Sequence, residues 1–212
     1  MWTLFLNTLF PPYCLGCKQR GKLLCGSCLD SLPSAPAERG ALALFNYEHP
    51  LVRKIIWKFK YSGLKSLAVE LSPLLKQLIL EEVSERRSFS PHKILVMPVP
   101  LSPGRSRERG YNQAALLSEA LVRLLPDDLI YMPDVLLKIK DTPTQVSMKT
   151  RAARLENLIG AFKVVEPEKI KNRSVLLIDD VLTTGATIMT AREELIKNGA
   201  SEVLAVVLAH GE

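Results

Sequence analysis

The sequence predicts an α/β protein whose mostly parallel sheet is flanked by helices, with a small cysteine-rich knuckle ahead of it. Three observations carry that expectation. Short unbroken apolar runs, 94–99 (ILVMPV), 175–178 (VLLI) and 203–208 (VLAVVL), are of the β-branched and leucine kind that fills strands covered on both faces. Helix-periodic stretches alternate with these runs after residue 90, the pattern of parallel strands joined by crossover helices. Near the start, Cys14-Leu15-Gly16-Cys17 and Cys25-Gly26-Ser27-Cys28 make two CxxC turns separated by seven residues.

The 212 residues suit one α/β domain with a small appendage. Residues 1–33 are assigned to an N-terminal helix and the knuckle, 41–212 to the main domain. The formal net charge of +6 suits phosphorylated ligands and permits nucleic acid, and by itself establishes neither. The opening MWTLFLNTLF has no basic side chain before its apolar run and is interrupted by Thr3, Asn7 and Thr8. It is too short to span a bilayer, so it reads as an amphipathic helix docked on the body of a cytoplasmic protein with no membrane span.

In the knuckle, each CxxC turn can place two sulfurs on one ion, and Cys14, Cys17, Cys25 and Cys28 together complete a tetrahedral site for a structural Zn2+. Four thiolates leave no open coordination position, which argues against a catalytic zinc. The rival readings are a disulfide pair or a redox CxxC. Both fit poorly with a cytoplasmic setting and with the lack of a thioredoxin-like βαβ pattern around the motif.

The stretch 33–40, rich in Pro, Ala and Ser, reads as a linker, and 41–47 as a strand ended by His49-Pro50. Residues 51–61 (LVRKIIWKFKY) read as an amphipathic helix with a basic face. A sharper reading lets Lys58 or Lys60 reach a diphosphate, or Trp57 stack on a base. A longer helix follows over 64–83, with Pro73 near an early turn, and the polar stretch 81–90 reads as a loop. After the strand 94–99, residues 101–113 (LSPGRSRERGYNQ) carry Arg105, Arg107 and Arg109 into a helix over 114–125. Guanidinium forks suit phosphate oxygens, and a loop at the carboxyl end of such a strand is where ligands sit. Residues 135–139 read as a further strand, and 140–162 as a polar loop followed by a basic helical piece. His49, His92 and His210 lack the spacing of a catalytic or metal-binding set.

The chemistry concentrates in 174–190 (SVLLIDDVLTTGATIMT). A buried strand is followed by Asp179 and Asp180, then by Thr183, Thr184, Gly185, Ala186 and Thr187, and then by a helix. The first amides of a helix have no intrahelical partner and its dipole favours an anion there. Gly185 permits close backbone approach and the threonine hydroxyls add neutral donors, so the turn reads as a monophosphate cradle. Adjacent carboxylates repel each other, and a vicinal diol is a partner that rewards the pair, since an ionised carboxylate only accepts hydrogen bonds. Phosphate at one end and diol at the other describe a ribose 5-phosphate.

That stretch resembles the signature of type I phosphoribosyltransferases, which bind 5-phosphoribosyl 1-diphosphate (PRPP). The segment 97–114, MPVPLSPGRSRERGYNQA, resembles the ComF family of competence-associated, phosphoribosyltransferase-like proteins. Gln145, Arg151, Asn157 and the GAF at 160–162 extend the likeness, which runs from the cysteine turns to the last strand. The family pattern has an arginine where this chain has Lys138, and a lysine cannot make the same fork. The resemblance implies a type I phosphoribosyltransferase-like fold, PRPP with ligand-borne Mg2+, and a long loop over 140–162 that closes on the diphosphate. Asp179 and Asp180 would hold the ribose hydroxyls, 183–187 the 5-phosphate, and Arg105, Arg107 and Arg109 the diphosphate.

Three functions follow as expectations: a phosphoribosyltransferase with an unknown nucleophile, a non-catalytic PRPP sensor, or a component of DNA uptake in natural transformation. In the third, the protein handles incoming single-stranded DNA beside a helicase partner. Trp57, Tyr61 and Tyr111 lie among cations, as single-strand binders require, although aromatics are only 6% of the chain.

Overall fold

A computed structural model describes residues 11–37, 40–89, 92–141, 158 and 160–211. The expected N-terminal helix and most of the 140–162 loop lie outside the described residues. In chain order the elements are α1 (Gly26–Asp30), β1 (Ala41–Asn46), α2 (Pro50–Tyr61), α3 (Leu67–Phe89), β2 (Ile94–Pro98), α4 (Pro103–Arg109), α5 (Gln113–Leu124), β3 (Leu129–Tyr131), β4 (Leu136–Lys138), β5 (Phe162–Val164), β6 (Ser174–Leu182), α6 (Ala186–Lys197) and β7 (Glu202–His210). Five strands form one sheet in the order β1-β7-β6-β2-β3, every pairing parallel. β4 and β5 make a separate antiparallel hairpin.

The apolar runs behave as expected of strands buried on both sides. Along β6, Leu176 and Ile178 join a core built with Val52, Ile55, Phe59, Leu71, Leu75, Leu117 and Leu121 from α2, α3 and α5. Val175 and Leu177 face the other way, toward Ile188, Ala191 and Leu195 of α6 and Phe162 of the hairpin. That split follows from the two-residue period of a strand. β6 therefore lies centrally, and its carboxyl end opens between the two layers, where open parallel sheets hold ligands.

The structure departs from the sequence reading at five places. α3 continues through the polar stretch expected to be a loop, because Arg86 reaches back one turn to Glu82 (2.5 Å) and across to Glu202 (3.1 Å). Its interior Pro73 cannot donate to the Val69 carbonyl, and the Ser72 hydroxyl donates there instead (3.2 Å). The arginine segment is not a loop throughout. Pro103 starts α4 and Gly110, at φ 70°, ends it in the left-handed conformation. The strand expected over 135–139 belongs to the hairpin rather than the main sheet. β3 and β5 were not expected, being three residues each, too short for a visible alternation. Finally, β6 does not stop before the aspartates but carries both of them on to Leu182.

The knuckle sits against the same layer as α2 and α3. Leu15, Leu23, Leu24 and Leu32 belong to the core cluster that includes Val52 and Ile55. Glu70 of α3 accepts hydrogen bonds from the amides of Leu23 (3.1 Å) and Leu24 (2.9 Å), and Lys54 of α2 donates to the Leu15 carbonyl (2.6 Å). Part of the proline-rich stretch is also tied down: Ser34 bridges Phe45, and the Asn46 amide donates to the Pro33 carbonyl.

Candidate functional site

Because β6 runs on through the acidic pair, both carboxylates stand together at the carboxyl edge of the central strand. Asp180, 8% exposed, meets the ammonium of Lys60 at 2.8 Å. Lys60 rides on the last turn of α2, which is anchored by fully buried Phe59. The Phe59 carbonyl accepts from the Tyr111 hydroxyl and from Gln113 (3.3 Å). Burial works against the Lys60 charge, but Asp180 outweighs it and holds the ammonium above the ordinary lysine range.

Asp179 stands beside Asp180, close enough to feel the charges of Lys60 and Lys138. Its carboxylate accepts the Asp180 amide (2.8 Å). Desolvation, and then the neighbouring Asp180 charge, push its pKa up to about 7, only partly offset by that amide, Lys60 and Lys138. Of the pair, then, Asp180 is matched with a cation, while the pKa of Asp179 is raised toward neutral pH. The partial locking of Asp180 by Lys60 was not expected from the motif. The sharper sequence reading had Lys60 reach a diphosphate; in the structure its ammonium lies on Asp180.

The turn after β6 leads directly into α6. Gly185, at φ 77°, is the N-cap of α6 and offers that helix no capping side chain of its own. A side chain at Gly185 would be strained in this left-handed conformation, which explains the glycine. The Thr184 hydroxyl is shielded from water and has no hydrogen-bond partner among the described residues. A buried hydroxyl left unpaired costs about 1–3 kcal/mol. An anion oxygen at this helix start would satisfy it together with the first amides of the helix.

The three arginines do not share one target. On a helix, residues two apart diverge. Arg105 lies near Lys138, whose pKa is lowered by burial and then by the Arg105 charge. Arg107 lies near Asp141. Arg109 donates to Gln113 (3.1 Å) and sits 5.2 Å above the Tyr61 ring. The sequence reading missed Asp141 altogether. Its carboxylate accepts the Gly104 amide (3.0 Å) and is held below the ordinary range by the Ser102 hydroxyl, that amide, and the Arg107 and Lys138 charges. A protein carboxylate thus stands where the basic segment was expected to offer donors to a diphosphate. Only contact in three dimensions reveals it.

The four cysteines do converge, with one sulfur from each lying within 4.8 Å of the others. Cys25 Sγ lies 3.6 Å from Cys14 Sγ and 3.5 Å from Cys17 Sγ, and all four are free thiols. Tetrahedral Zn–S bonds of about 2.3 Å imply S···S separations of about 3.8 Å, so the set fits such an ion. Burial disfavours the Cys14 thiolate, but the amides of Cys25, Cys17 and Gly16 outweigh that and lower its pKa to about 6. The Cys25 neighbour, with burial, pushes Cys28 up to about 12. Thiolates this close repel one another, and a cation at their centre would offset that repulsion. A Cβ at Gly16 would stand 2.6 Å from Cys28 Sγ, so the turn has no room for a larger residue.

An all-parallel sheet whose central strand carries an acidic pair near its carboxyl end, followed by a threonine-glycine turn at a helix start, defines a type I phosphoribosyltransferase-like domain. The phosphoribosyl transferase domain family matches residues 112–212. Competence protein F of Haemophilus influenzae is 31% identical over 193 residues, covering 91% of this chain and 82% of that protein. DNA utilization protein YhgH of Shigella flexneri is 33% identical over 184 residues, covering 85% and 75%. A hypoxanthine phosphoribosyltransferase structure from Staphylococcus aureus aligns with a TM-score of 0.41 at 18% identity, covering 68% of this chain and 64% of that one. The chain belongs to the ComF family of competence-associated, phosphoribosyltransferase-like proteins. Among the described residues, no helix is long and apolar enough to cross a membrane.

Proposed function

We propose that this protein binds PRPP, or a closely related ribose 5-phosphate, and acts in DNA uptake by handling incoming single-stranded DNA, with a helicase as a partner. The observation that carries the ligand reading is the turn directly after the acidic pair: a buried threonine hydroxyl and a helix start with glycine at its N-cap, at one strand end. The 5-phosphate sits on residues 183–187. Asp179 and Asp180 accept hydrogen bonds from the ribose hydroxyls. Lys60, Lys138 and Arg105 supply positive charge for the diphosphate, with Arg107 and Arg109 at its margin. Mg2+, carried mainly by the ligand and its waters, would neutralise part of the diphosphate charge. The four cysteines hold a structural Zn2+ that stiffens the knuckle.

The DNA reading is supported by the names of the relatives, a competence protein and a DNA utilization protein, and by the basic charge balance. Location in the cytoplasm, where the transported strand emerges, belongs to the same reading. Separate titrations with PRPP·Mg2+ and with an unstructured oligonucleotide test the two halves. Binding of both is expected, the oligonucleotide's affinity falling steeply as salt rises through counterion release. No response to either ligand would overturn the proposal.

A second reading, an active transferase, draws on the charge array alone. Cations around a departing diphosphate stabilise developing charge without acid–base help. Release of diphosphate from PRPP in the presence of an acceptor, lost in Asp180→Asn, would establish it.

A further inference from the structure

Helix α2 carries Arg53, Lys54, Lys58 and Lys60 and not one carboxylate. Its buried face is Val52, Ile55, Ile56 and Phe59. On the opposite side Arg53, Trp57 and Tyr61 recur every fourth residue, so they line one exposed stripe. Trp57 is 54% exposed and Tyr61 56%, an unusual outlay of large aromatic surface. Their ring centroids lie 6.1 Å apart, and each has a cation over it: Lys58 at 5.2 Å from the Trp57 centroid, Arg109 at 5.2 Å from that of Tyr61. Nearby, Lys65 stands 4.9 Å over the Tyr111 ring. Apolar protein partners would not select an aromatic face in which the described rings are paired with cations and the helix bears no acid. A polyanion with flat bases does.

We propose that the Arg53–Trp57–Tyr61 face of α2, with Arg109 of α4 and the Tyr111–Lys65 pair, is a stacking platform for single-stranded nucleic acid, and that it opposes occupation of the adjoining ribose-phosphate site. The proposal rests on the reading of that site given above and adds where the strand lies and how the two ligands affect each other. Bases stack on exposed rings while cations track the backbone, and stacking contributes about 1–3 kcal/mol per base. The platform ends at the site itself, because Tyr61 follows Lys60, whose ammonium lies on Asp180. Arg109 couples the two. It covers Tyr61, and its charge is felt at Lys60.

Ligand in the ribose-phosphate site draws Lys60 and Arg109 toward the diphosphate and places several negative charges within a Debye length of the strand's phosphates. Freeing the Tyr61 face works the other way, but an exposed cation–π contact is worth only about 0.5–1 kcal/mol. Repulsion together with the loss of a shared arginine is the larger effect. The coupling is therefore negative, and by linkage it is equal in both directions.

The test is fluorescence anisotropy of a labelled oligothymidylate on the full chain, without and with saturating PRPP·Mg2+, whose own binding is followed by calorimetry. We expect PRPP to weaken oligonucleotide binding by about fivefold or more. Trp57→Ala should weaken the oligonucleotide about tenfold and leave PRPP affinity unchanged. Arg109→Ala should bind the oligonucleotide more weakly and respond less to PRPP. Oligonucleotide affinity that is unchanged or raised by bound PRPP overturns the opposition, and Trp57→Ala binding like the parent overturns the platform. In both cases PRPP and DNA binding themselves would stand. Failure of the parent chain to bind any single strand would instead remove the DNA half of the proposed function, and this inference with it.

Discussion

The knuckle and the carboxyl edge of β6 both gather polar groups in a small space, yet they treat them differently. In the knuckle the protein answers its own backbone: Glu70 accepts two amides, Lys54 donates to a carbonyl, and backbone amides surround Cys14. What remains open there is only the centre of four sulfurs. At the β6 edge the protein leaves some of its own groups unanswered. A threonine hydroxyl lacks a partner, a helix start has only glycine at its N-cap, and the pKa of Asp179 is raised toward neutral pH by burial and by its neighbour. In the proposed reading, the first region would be completed by an ion among its four sulfurs. The second keeps groups that the proposed ligand would relieve, so in that reading stability belongs to one region and binding to the other.

Breaking the knuckle should give the largest effect. Its leucines share a core with α2 and α3, so chelation of bound metal, or Cys14→Ser, is expected to lower unfolding stability by about 3–5 kcal/mol, read by denaturant titration. Were the contrast mistaken and the knuckle independent, the main transition would not move.

Asp180→Asn sharpens the other side. It removes a charged acceptor for a ribose hydroxyl and leaves Lys60 without its partner, so PRPP affinity should fall about 10- to 100-fold in calorimetry. Asp179 supplies a pH signature. An acid whose folded pKa lies above its unfolded value binds extra protons in the native state, so its contribution to stability declines as pH rises from about 4 to about 7. Asp179→Asn should therefore stabilise the protein above pH 7 and have little effect at pH 4. In the parent chain, the same ionisation should strengthen PRPP binding between pH 6 and 8, a rise that the substitution flattens.

Smallest is the change expected at the arginine helix. Asp141→Asn weakens an internal carboxylate on the Gly104 amide, and inorganic diphosphate should bind a few-fold tighter, by about 0.5–1 kcal/mol. Weaker binding would instead assign Asp141 to the ligand or its metal.

Local signals explain what could be read beforehand. Apolar runs identified β2, β6 and β7, since strands covered on both faces need no partner to be recognised. The acidic pair, the glycine turn and the four cysteines were legible because their spacing is itself the chemistry. The hidden parts depend on distant contacts. The last turns of α3 are held by Arg86 reaching a residue on β7, and Asp141 meets Gly104 from 37 positions away. Lys60 could be suspected from the sequence, but its pairing with Asp180 needed α2 to be laid across the sheet. The divergence of Arg105, Arg107 and Arg109 followed only once their segment was known to be helical.

The most direct test compares ribose 5-phosphate with inorganic diphosphate by calorimetry, in the parent chain, Thr184→Val and Asp180→Asn. If turn and carboxylates hold opposite ends of one sugar phosphate, both substitutions weaken ribose 5-phosphate by about tenfold or more while diphosphate alone is much less affected. Ribose 5-phosphate binding that is indifferent to both substitutions would contradict the account.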